Sequence, residues 1–184
     1  GAAPADVLFG FNTSTASQAA ILFPGVSGST SNPISLGASA NIGISLITNV
    51  RAVNVNGDGN SDVVATAATD AIYLFPGTGV QATPFNTVSA ALAQLPAGET
   101  FVTTQGTPFP VEVGDVTADG VADVVVSSTV GGGSFLARVF PMTSAAAFGT
   151  STALAAPSAV KVISLADVNQ DSRVDVGVGS SDLR

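Results

Sequence analysis

The chain has 184 residues, of which 46% are hydrophobic, and its formal net charge is -8. It contains no cysteine and no histidine, which excludes disulfides and thiolate metal sites and removes the usual general base, so we expect a protein that is not an enzyme. Its five basic residues are too few and too scattered to bind nucleic acid, and no apolar run is long enough for membrane insertion.

One domain, residues 1–184, is expected, because no linker rich in charge, proline or glycine divides the chain. An internal repeat is marked by four aspartates that each precede a short apolar run, at intervals of about 50 to 60 residues: Asp6, Asp62, Asp123 and Asp175. After the first three of these the chain reaches a Phe-Pro pair, which begins at Phe23, Phe75 and Phe140. Each pair predicts a strand that ends in a turn.

Each repeat is expected to hold about four short strands: one entering an acidic loop, one leaving it, one ending at Phe-Pro, and a weaker fourth. The fourth strands are predicted near residues 33–36, 84–85 and 148–149. Units of this length with four strands are typical of propeller blades. A parallel sheet with helices is disfavoured, because the best candidate helix, residues 87–94, covers only about two turns.

Three acidic loops of nine residues lie between the first and second predicted strands, at residues 54–62, 115–123 and 167–175. Every loop has oxygen-bearing side chains at its positions 1, 3, 5 and 9. Hard cations such as calcium take about six to eight oxygen ligands, and alternate side chains of a tight loop, together with a backbone carbonyl, can supply them. The pattern therefore predicts calcium loops. The alternative is that these segments are turns rich in Asp and Asn that form without metal.

The loops lack the features of an EF-hand, which has a bidentate Glu at position 12 and a helix on each side. Position 12 is Ala65, Val126 or Val178, and the flanking sequences alternate β-branched residues as strands do. We therefore expect strand-loop-strand hairpins. With such hairpins, nearly the whole chain resembles the FG-GAP or VCBS repeat family, the integrin α-subunit type of β-propeller.

The resemblance implies an all-β fold of antiparallel four-stranded propeller blades, with repeats at about 6–61, 62–122 and 123–175 and a terminal strand. It also implies that calcium is bound by the side chains at positions 1, 3, 5 and 9 and by the carbonyl of position 7. The implied ligands are Asn54, Asn56, Asp58, Asn60 and Asp62 in the first loop; Asp115, Thr117, Asp119, Val121 and Asp123 in the second; and Asp167, Asn169, Asp171, Arg173 and Asp175 in the third.

The three loops depart from the family pattern at different positions. In the second loop Thr117 is a neutral ligand, and in the third Ser172 replaces the glycine expected at the sharp bend, which predicts a strained turn. The first loop has only two carboxylates, Asp58 and Asp62. Because affinity follows the charge of the ligands, we expect the weakest calcium site there.

The strands that enter the loops each carry one polar residue between apolar ones, at Arg51, Glu112 and Ser164. These residues are expected to face a central channel. One interpretation is that Arg51 and Glu112 contact a ligand. The simpler one is that these charges are solvated or form a pair between neighbouring repeats.

The resemblance implies an extracellular or cell-surface location. The leading hypothesis is a non-enzymatic, calcium-stabilised module for adhesion, scaffolding or self-assembly, whose partners are further copies of the chain or the remaining blades of a larger propeller, with a protein or glycan as a further ligand. One alternative is a carbohydrate-binding, lectin-like propeller, although the chain has no tryptophan and a single tyrosine, Tyr73, for sugar stacking. Another is a fragment of a larger polysaccharide-active propeller protein, catalytic or not.

Overall fold

The structure is a computed structural model of the chain, and it describes residues 7–10, 20–23, 40–41, 47–78, 91–101, 110–131, 133–143 and 147–180. These residues form fourteen strands and no helix. The strands are β1 (Val7–Gly10), β2 (Ala20–Phe23), β3 (Ala40–Asn41), β4 (Ile47–Val53), β5 (Asp62–Ala67), β6 (Ala71–Phe75), β7 (Ala91–Gln94), β8 (Glu99–Phe101), β9 (Val111–Gly114), β10 (Asp123–Val130), β11 (Ser134–Phe140), β12 (Thr152–Ala156), β13 (Val160–Ala166) and β14 (Asp175–Ser180).

The strands form four antiparallel sheets, which we number in chain order. The first sheet is β1-β2-β3 and the second is β4-β5-β6-β7. The third has the order β12-β11-β10-β8, with β9 also paired to β10, and the fourth is the hairpin β13-β14. The all-β, antiparallel class predicted from the sequence is confirmed, and the described residues do not close into a barrel or a propeller ring. None of the described segments is an apolar helix of membrane-spanning length.

The same strand register recurs in three sheets. Val7 pairs with Phe23, Val63 pairs with Phe75, and Val124 pairs with Phe140. The predicted strands that end at Phe-Pro are therefore confirmed as β2, β6 and β11. Because the register of β1 and β2 matches that of the other pairs, β1 corresponds to the strand that follows a loop in the second and third sheets.

Alternate residues of the central strands are buried on opposite faces of their sheets. Val124 and Val126 of β10 belong to an apolar cluster that includes Val64 of β5, so it lies between the second and third sheets. Val125 belongs to a second cluster that includes Ile163 of β13, between the third and fourth sheets. Both faces of the third sheet are thus covered, which explains why β10 begins with an uninterrupted apolar run.

The strand that enters each loop lies beside its counterpart in the next sheet. β4 is close to both β1 and β9, and β9 is close to β13. Successive sheets therefore stack face to face, with the loop-entering strands of the second, third and fourth sheets adjacent to one another.

The fourth strands lie elsewhere than predicted where the structure describes them. Residues 148–149 contribute only an isolated bridge, between Met142 and Phe148, and the strand that pairs with β11 is β12, which starts at Thr152. The fourth strands predicted near residues 33–36 and 84–85 lie outside the described residues. In the first and second sheets, the strands that pair with β2 and β6 at the edge are β3 and β7. The last four residues of the candidate helix, 91–94, form β7. Edge strands have little periodic apolar signal, which is why the fourth strand predicted near residues 148–149 was misplaced.

Candidate functional site

The three acidic loops connect β4 to β5, β9 to β10, and β13 to β14, and each of these strand pairs is an antiparallel hairpin. The predicted strand-loop-strand context is therefore confirmed. All three loops share one backbone conformation, because positions 4 and 6 have positive φ in every copy: Gly57 and Gly59, Ala118 and Gly120, and Gln170 and Ser172. Ser172 has a φ of 67°, so the bend without glycine adopts the left-handed conformation that L-residues disfavour.

In the second loop the carboxylates organise the backbone. Asp115 accepts hydrogen bonds from the backbone N–H groups of Asp119 (3.1 Å) and Gly120 (2.9 Å). Asp119 in turn accepts one from the N–H of Val121 at 2.9 Å. These bonds fold the loop around its own acidic side chains, because the N–H groups of positions 5 to 7 point at the carboxylates of positions 1 and 5.

The third loop repeats this network closely. Asp167 accepts from the N–H groups of Asp171 and Ser172, at 3.1 and 2.8 Å, and Asp171 accepts from the N–H of Arg173 at 2.9 Å. Asn169 accepts from the N–H of Asp171 at 2.9 Å, and its amide donates to the Asp171 carboxylate at 3.1 Å. The residue at position 3 therefore contacts the residue at position 5 directly.

The first loop has amides at positions 1 and 3, and its position 1 contact differs from that of the other loops, where the aspartate accepts from positions 5 and 6. Asn54 accepts from the N–H of Gly57, and Asn56 accepts from the N–H of Asp58 while donating to its carboxylate. Asp58 accepts from the N–H of Asn60 at 2.8 Å. That backbone hydrogen bond, assisted by the amides of Asn56 and Asn60 and opposed by slight desolvation, holds the pKa of Asp58 below its usual value.

The aspartate at position 9 has a different role from the other loop acids. Asp62 and Asp123 are completely buried, and each has one oxygen that accepts from the N–H of loop position 2: Val55 at 2.8 Å and Val116 at 2.9 Å. Their second oxygens accept from Gly77 (2.7 Å) and Met142 (3.2 Å), the residues that follow the two Phe-Pro pairs. These aspartates therefore join the loop to the end of the third strand of the sheet.

Asp175 makes only the first of these contacts. It accepts from the N–H of Val168 at 2.9 Å and is partly exposed, because within the described residues the fourth sheet has no third strand. The difference shows that burial of the position 9 carboxylate depends on the strand that ends at Phe-Pro.

The structure brings the predicted ligands of each loop into one hydrogen-bonded segment. In the described residues, no group of three or more acidic side chains is arranged to hold a metal ion. The carboxylates contact backbone N–H groups instead. An ionised carboxylate offers about four lone-pair positions, so Asp115, which accepts two hydrogen bonds, retains acceptor capacity. The donor set of each loop is all oxygen and fits a hard cation by its chemistry.

The polar residues of the loop-entering strands form a contact between sheets. Arg51 of β4 and Glu112 of β9 make an ion pair of 3.0 Å, with side chains 40% and 35% exposed. This confirms the interpretation that these charges pair between neighbouring repeats. The equivalent residue of β13, Ser164, is exposed.

A buried polar cluster in the third sheet was missed at the level of sequence. Arg138 of β11 forms an ion pair with Glu99 of β8, and both side chains are 8% exposed. Glu99 also accepts from the hydroxyl of Ser128 at 3.1 Å, and Arg138 donates to the hydroxyl of Ser151 at 2.9 Å. The signal in the sequence was a lone arginine inside the apolar run from Phe135 to Phe140. The cluster fixes the extra strand β8 against β10.

Comparison with family models and with curated proteins finds no match to this chain.

Proposed function

We propose that the chain is a non-enzymatic, calcium-stabilised module of the FG-GAP or VCBS type, which serves adhesion, scaffolding or self-assembly outside the cell. The observation that carries this proposal is the threefold recurrence of one loop conformation with oxygen donors at the same positions, including left-handed backbone where no glycine is present. Left-handed backbone at Ala118, Gln170 and Ser172 costs strain that glycine would avoid, and a common ligand geometry would account for its retention in these loops.

The proposed ligands are the side chains at positions 1, 3, 5 and 9 and the carbonyl at position 7. Bound calcium would supply positive charge to loops that contain most of the acidic residues of a chain with net charge -8. Calcium sites of extracellular modules bind in the range of about 10⁻⁴ to 10⁻³ M. Exposed loops with neutral ligands at one or two positions suit that range, which supports an extracellular location.

The four stacked sheets are, in this proposal, blades of a β-propeller whose remaining blades come from further copies of the chain or from a longer polypeptide. The face-to-face order of the sheets and the adjacent loop-entering strands support this arrangement. The ion pair between Arg51 and Glu112 would then lie along the central channel.

Calcium should raise the thermal stability of the full chain. A ligand that binds only the folded state stabilises it by about 2.7 kcal/mol per site at a hundredfold excess over its Kd. We expect the melting temperature, measured by circular dichroism, to rise clearly from excess chelator to millimolar CaCl₂ and to change less in MgCl₂, which demands stricter octahedral geometry. An identical melting temperature in chelator and in CaCl₂ would contradict the calcium proposal.

Two matched variants test the ranking of the sites. Asp119→Ala removes a charged ligand from the second loop, and Asn54→Ala removes a neutral ligand from the first. The calcium-dependent part of the melting temperature should fall more in Asp119→Ala, because ligand charge sets affinity. Equal losses would show that the two loops contribute equally.

A further inference from the structure

The first loop contains the sequence Asn56-Gly57, which is the one place in the chain where glycine follows asparagine. The amide carbon of an asparagine can be attacked by the backbone nitrogen of the next residue, and a side chain on that residue hinders the attack. Glycine has no side chain, so it hinders the attack least. Asn56 is half-buried, Gly57 is exposed, and a β-carbon added to Gly57 would meet nothing within 4 Å among the described residues. Water therefore reaches both residues.

Two hydrogen bonds prepare the groups that would react. The N–H of Gly57, whose nitrogen is the nucleophile, donates to Oδ1 of Asn54 at 2.9 Å, which draws the proton away from that nitrogen. Oδ1 of Asn56 accepts from the N–H of Asp58 at 3.0 Å, and this Asx turn folds the amide back along the Gly57 peptide. The same N–H polarises the Asn56 carbonyl and stabilises negative charge that develops on Oδ1 during the attack.

The third loop provides a matched comparison. Asn169 lies at the same loop position as Asn56, and its Oδ1 accepts from the N–H of Asp171 at 2.9 Å. Its amide donates to the Asp171 carboxylate at 3.1 Å, as the amide of Asn56 does to Asp58 at the same distance. The residue that follows Asn169 is Gln170, whose side chain hinders attack by its backbone nitrogen. The main difference between the two asparagines is therefore the next residue.

We propose that Asn56 is a site of spontaneous deamidation, which gives the first loop an additional carboxylate. The backbone nitrogen of Gly57 forms a bond to Cγ of Asn56, and the bond from Cγ to Nδ2 breaks. The amide nitrogen leaves as ammonia, taking up through solvent the proton that the Gly57 nitrogen loses. The resulting cyclic imide adds water and opens at either carbonyl, which leaves aspartate or isoaspartate. Water is consumed and ammonia released, and no oxidant or reductant is needed.

The modification is independent of calcium, whereas its consequence for calcium rests on the proposed function. The first loop has only two carboxylates, Asp58 and Asp62, and calcium affinity follows the charge of the ligands. Conversion of Asn56 to aspartate places a carboxylate at loop position 3, so the weakest proposed site gains affinity. Isoaspartate instead adds a methylene carbon to the backbone, which moves the later ligands out of register. The calcium response of this loop would then change with the age of the protein.

The test is peptide mapping by mass spectrometry of the full chain after incubation in mildly alkaline buffer with chelator. The Asn56 peptide should lose its amide at least about tenfold faster than the Asn169 peptide, because only Asn56 precedes glycine. A double variant, Gly57→Gln with Gln170→Gly, exchanges the following residues between the loops. Gln170 has a φ of 63°, so glutamine is accommodated at this loop position in the left-handed conformation.

In the double variant the fast conversion should move from Asn56 to Asn169, and circular dichroism melts verify that the variant is folded. An Asn56 that keeps its amide in the wild type would overturn the inference. So would equal rates at Asn56 and Asn169, or undiminished conversion of Asn56 when glutamine follows it.

A second measurement tests the consequence for calcium. Asn56→Asp fixes the aspartate product, and isothermal titration should give a Kd for the weakest site about tenfold lower than in the wild type. An unchanged Kd would overturn this consequence. If calcium stabilises the chain and Asn56 keeps its amide, the inference alone fails. If Asn56 converts but the chain melts identically in chelator and in CaCl₂, the calcium proposal fails and the modification stands.

Discussion

The buried aspartate at position 9 is the residue on which each complete hairpin depends. Asp123 has no exposed surface, and its carboxylate accepts hydrogen bonds from the N–H groups of Val116, Thr117 and Met142. Buried charges are tolerated in proteins when hydrogen bonds replace the lost water. This residue is one of the proposed calcium ligands, and in the structure its carboxylate links the loop to the strand ending at Phe-Pro.

Asp123→Asn should destabilise the chain even in chelator. An amide has one acceptor oxygen and its NH₂ group is a donor, so at least one of the three backbone N–H groups loses its partner in a buried environment. We expect a loss of about 2 to 3 kcal/mol in the free energy of unfolding, measured by urea denaturation. Asp175→Asn is the matched control, because Asp175 is partly exposed and accepts a single backbone bond at 2.9 Å. A loss as large for Asp175→Asn would argue against this structural role.

At the scale of the elements, the third sheet differs from the second by a buried charge pair. Arg138 and Glu99 hold β8 against β10, beyond the segment where β9 pairs with the same strand. A buried ion pair is weak evidence for net stability, since desolvation of both groups offsets their attraction. Its removal one partner at a time is costly, because the remaining charge stays buried without a partner.

A double-mutant cycle should show strong coupling between these two residues. Arg138→Met alone and Glu99→Leu alone are each expected to lower the free energy of unfolding by about 3 to 5 kcal/mol. The double variant should lose much less than the sum of the two, because no charge is left buried. Urea denaturation of the four proteins measures the coupling. The cycle on Arg51 and Glu112, which are partly exposed, serves as the control and should give a coupling below about 1 kcal/mol. Additive losses at Arg138 and Glu99 would refute the pair as an energetic unit.

Some strands could be predicted from the sequence and others could not. The loop-entering strands, the strands after the loops and those ending at Phe-Pro were predicted, because alternating apolar residues, acidic turns and prolines bound them. β8 was not predicted: its residues, Glu99 to Phe101, show no alternation, and the strand is fixed by a charge pair with Arg138, which lies far along the chain. The loop contacts of Asp62 with Gly77, and of Asp123 with Met142, likewise depend on tertiary packing that spacing alone does not reveal.

At the scale of the whole molecule, burial is greater in the central strands of the second and third sheets than in the fourth sheet. All six residues of β5 are buried, and so are the first six of β10, whereas every residue of β14 is at least partly exposed. The two central sheets have neighbours on both faces. Within the described residues, the fourth sheet has a neighbour on one face only and lacks strands corresponding to β6 and β7.

This difference predicts a gradient of local stability along the chain. Amide hydrogens of segments with few buried contacts exchange through local opening, while those of the core exchange only when the whole domain unfolds. In hydrogen exchange followed by mass spectrometry, amides of β5 and β10 should exchange slowest and those of β14 at least about tenfold faster, because opening the last hairpin exposes less apolar surface. Measurements on a dilute sample keep self-association from protecting β14. As an internal control, β9 and β13 both precede an acidic loop, but β9 lies between two sheets and should be better protected than β13. Uniform protection from β5 to β14 would show instead that the four sheets unfold as one cooperative unit.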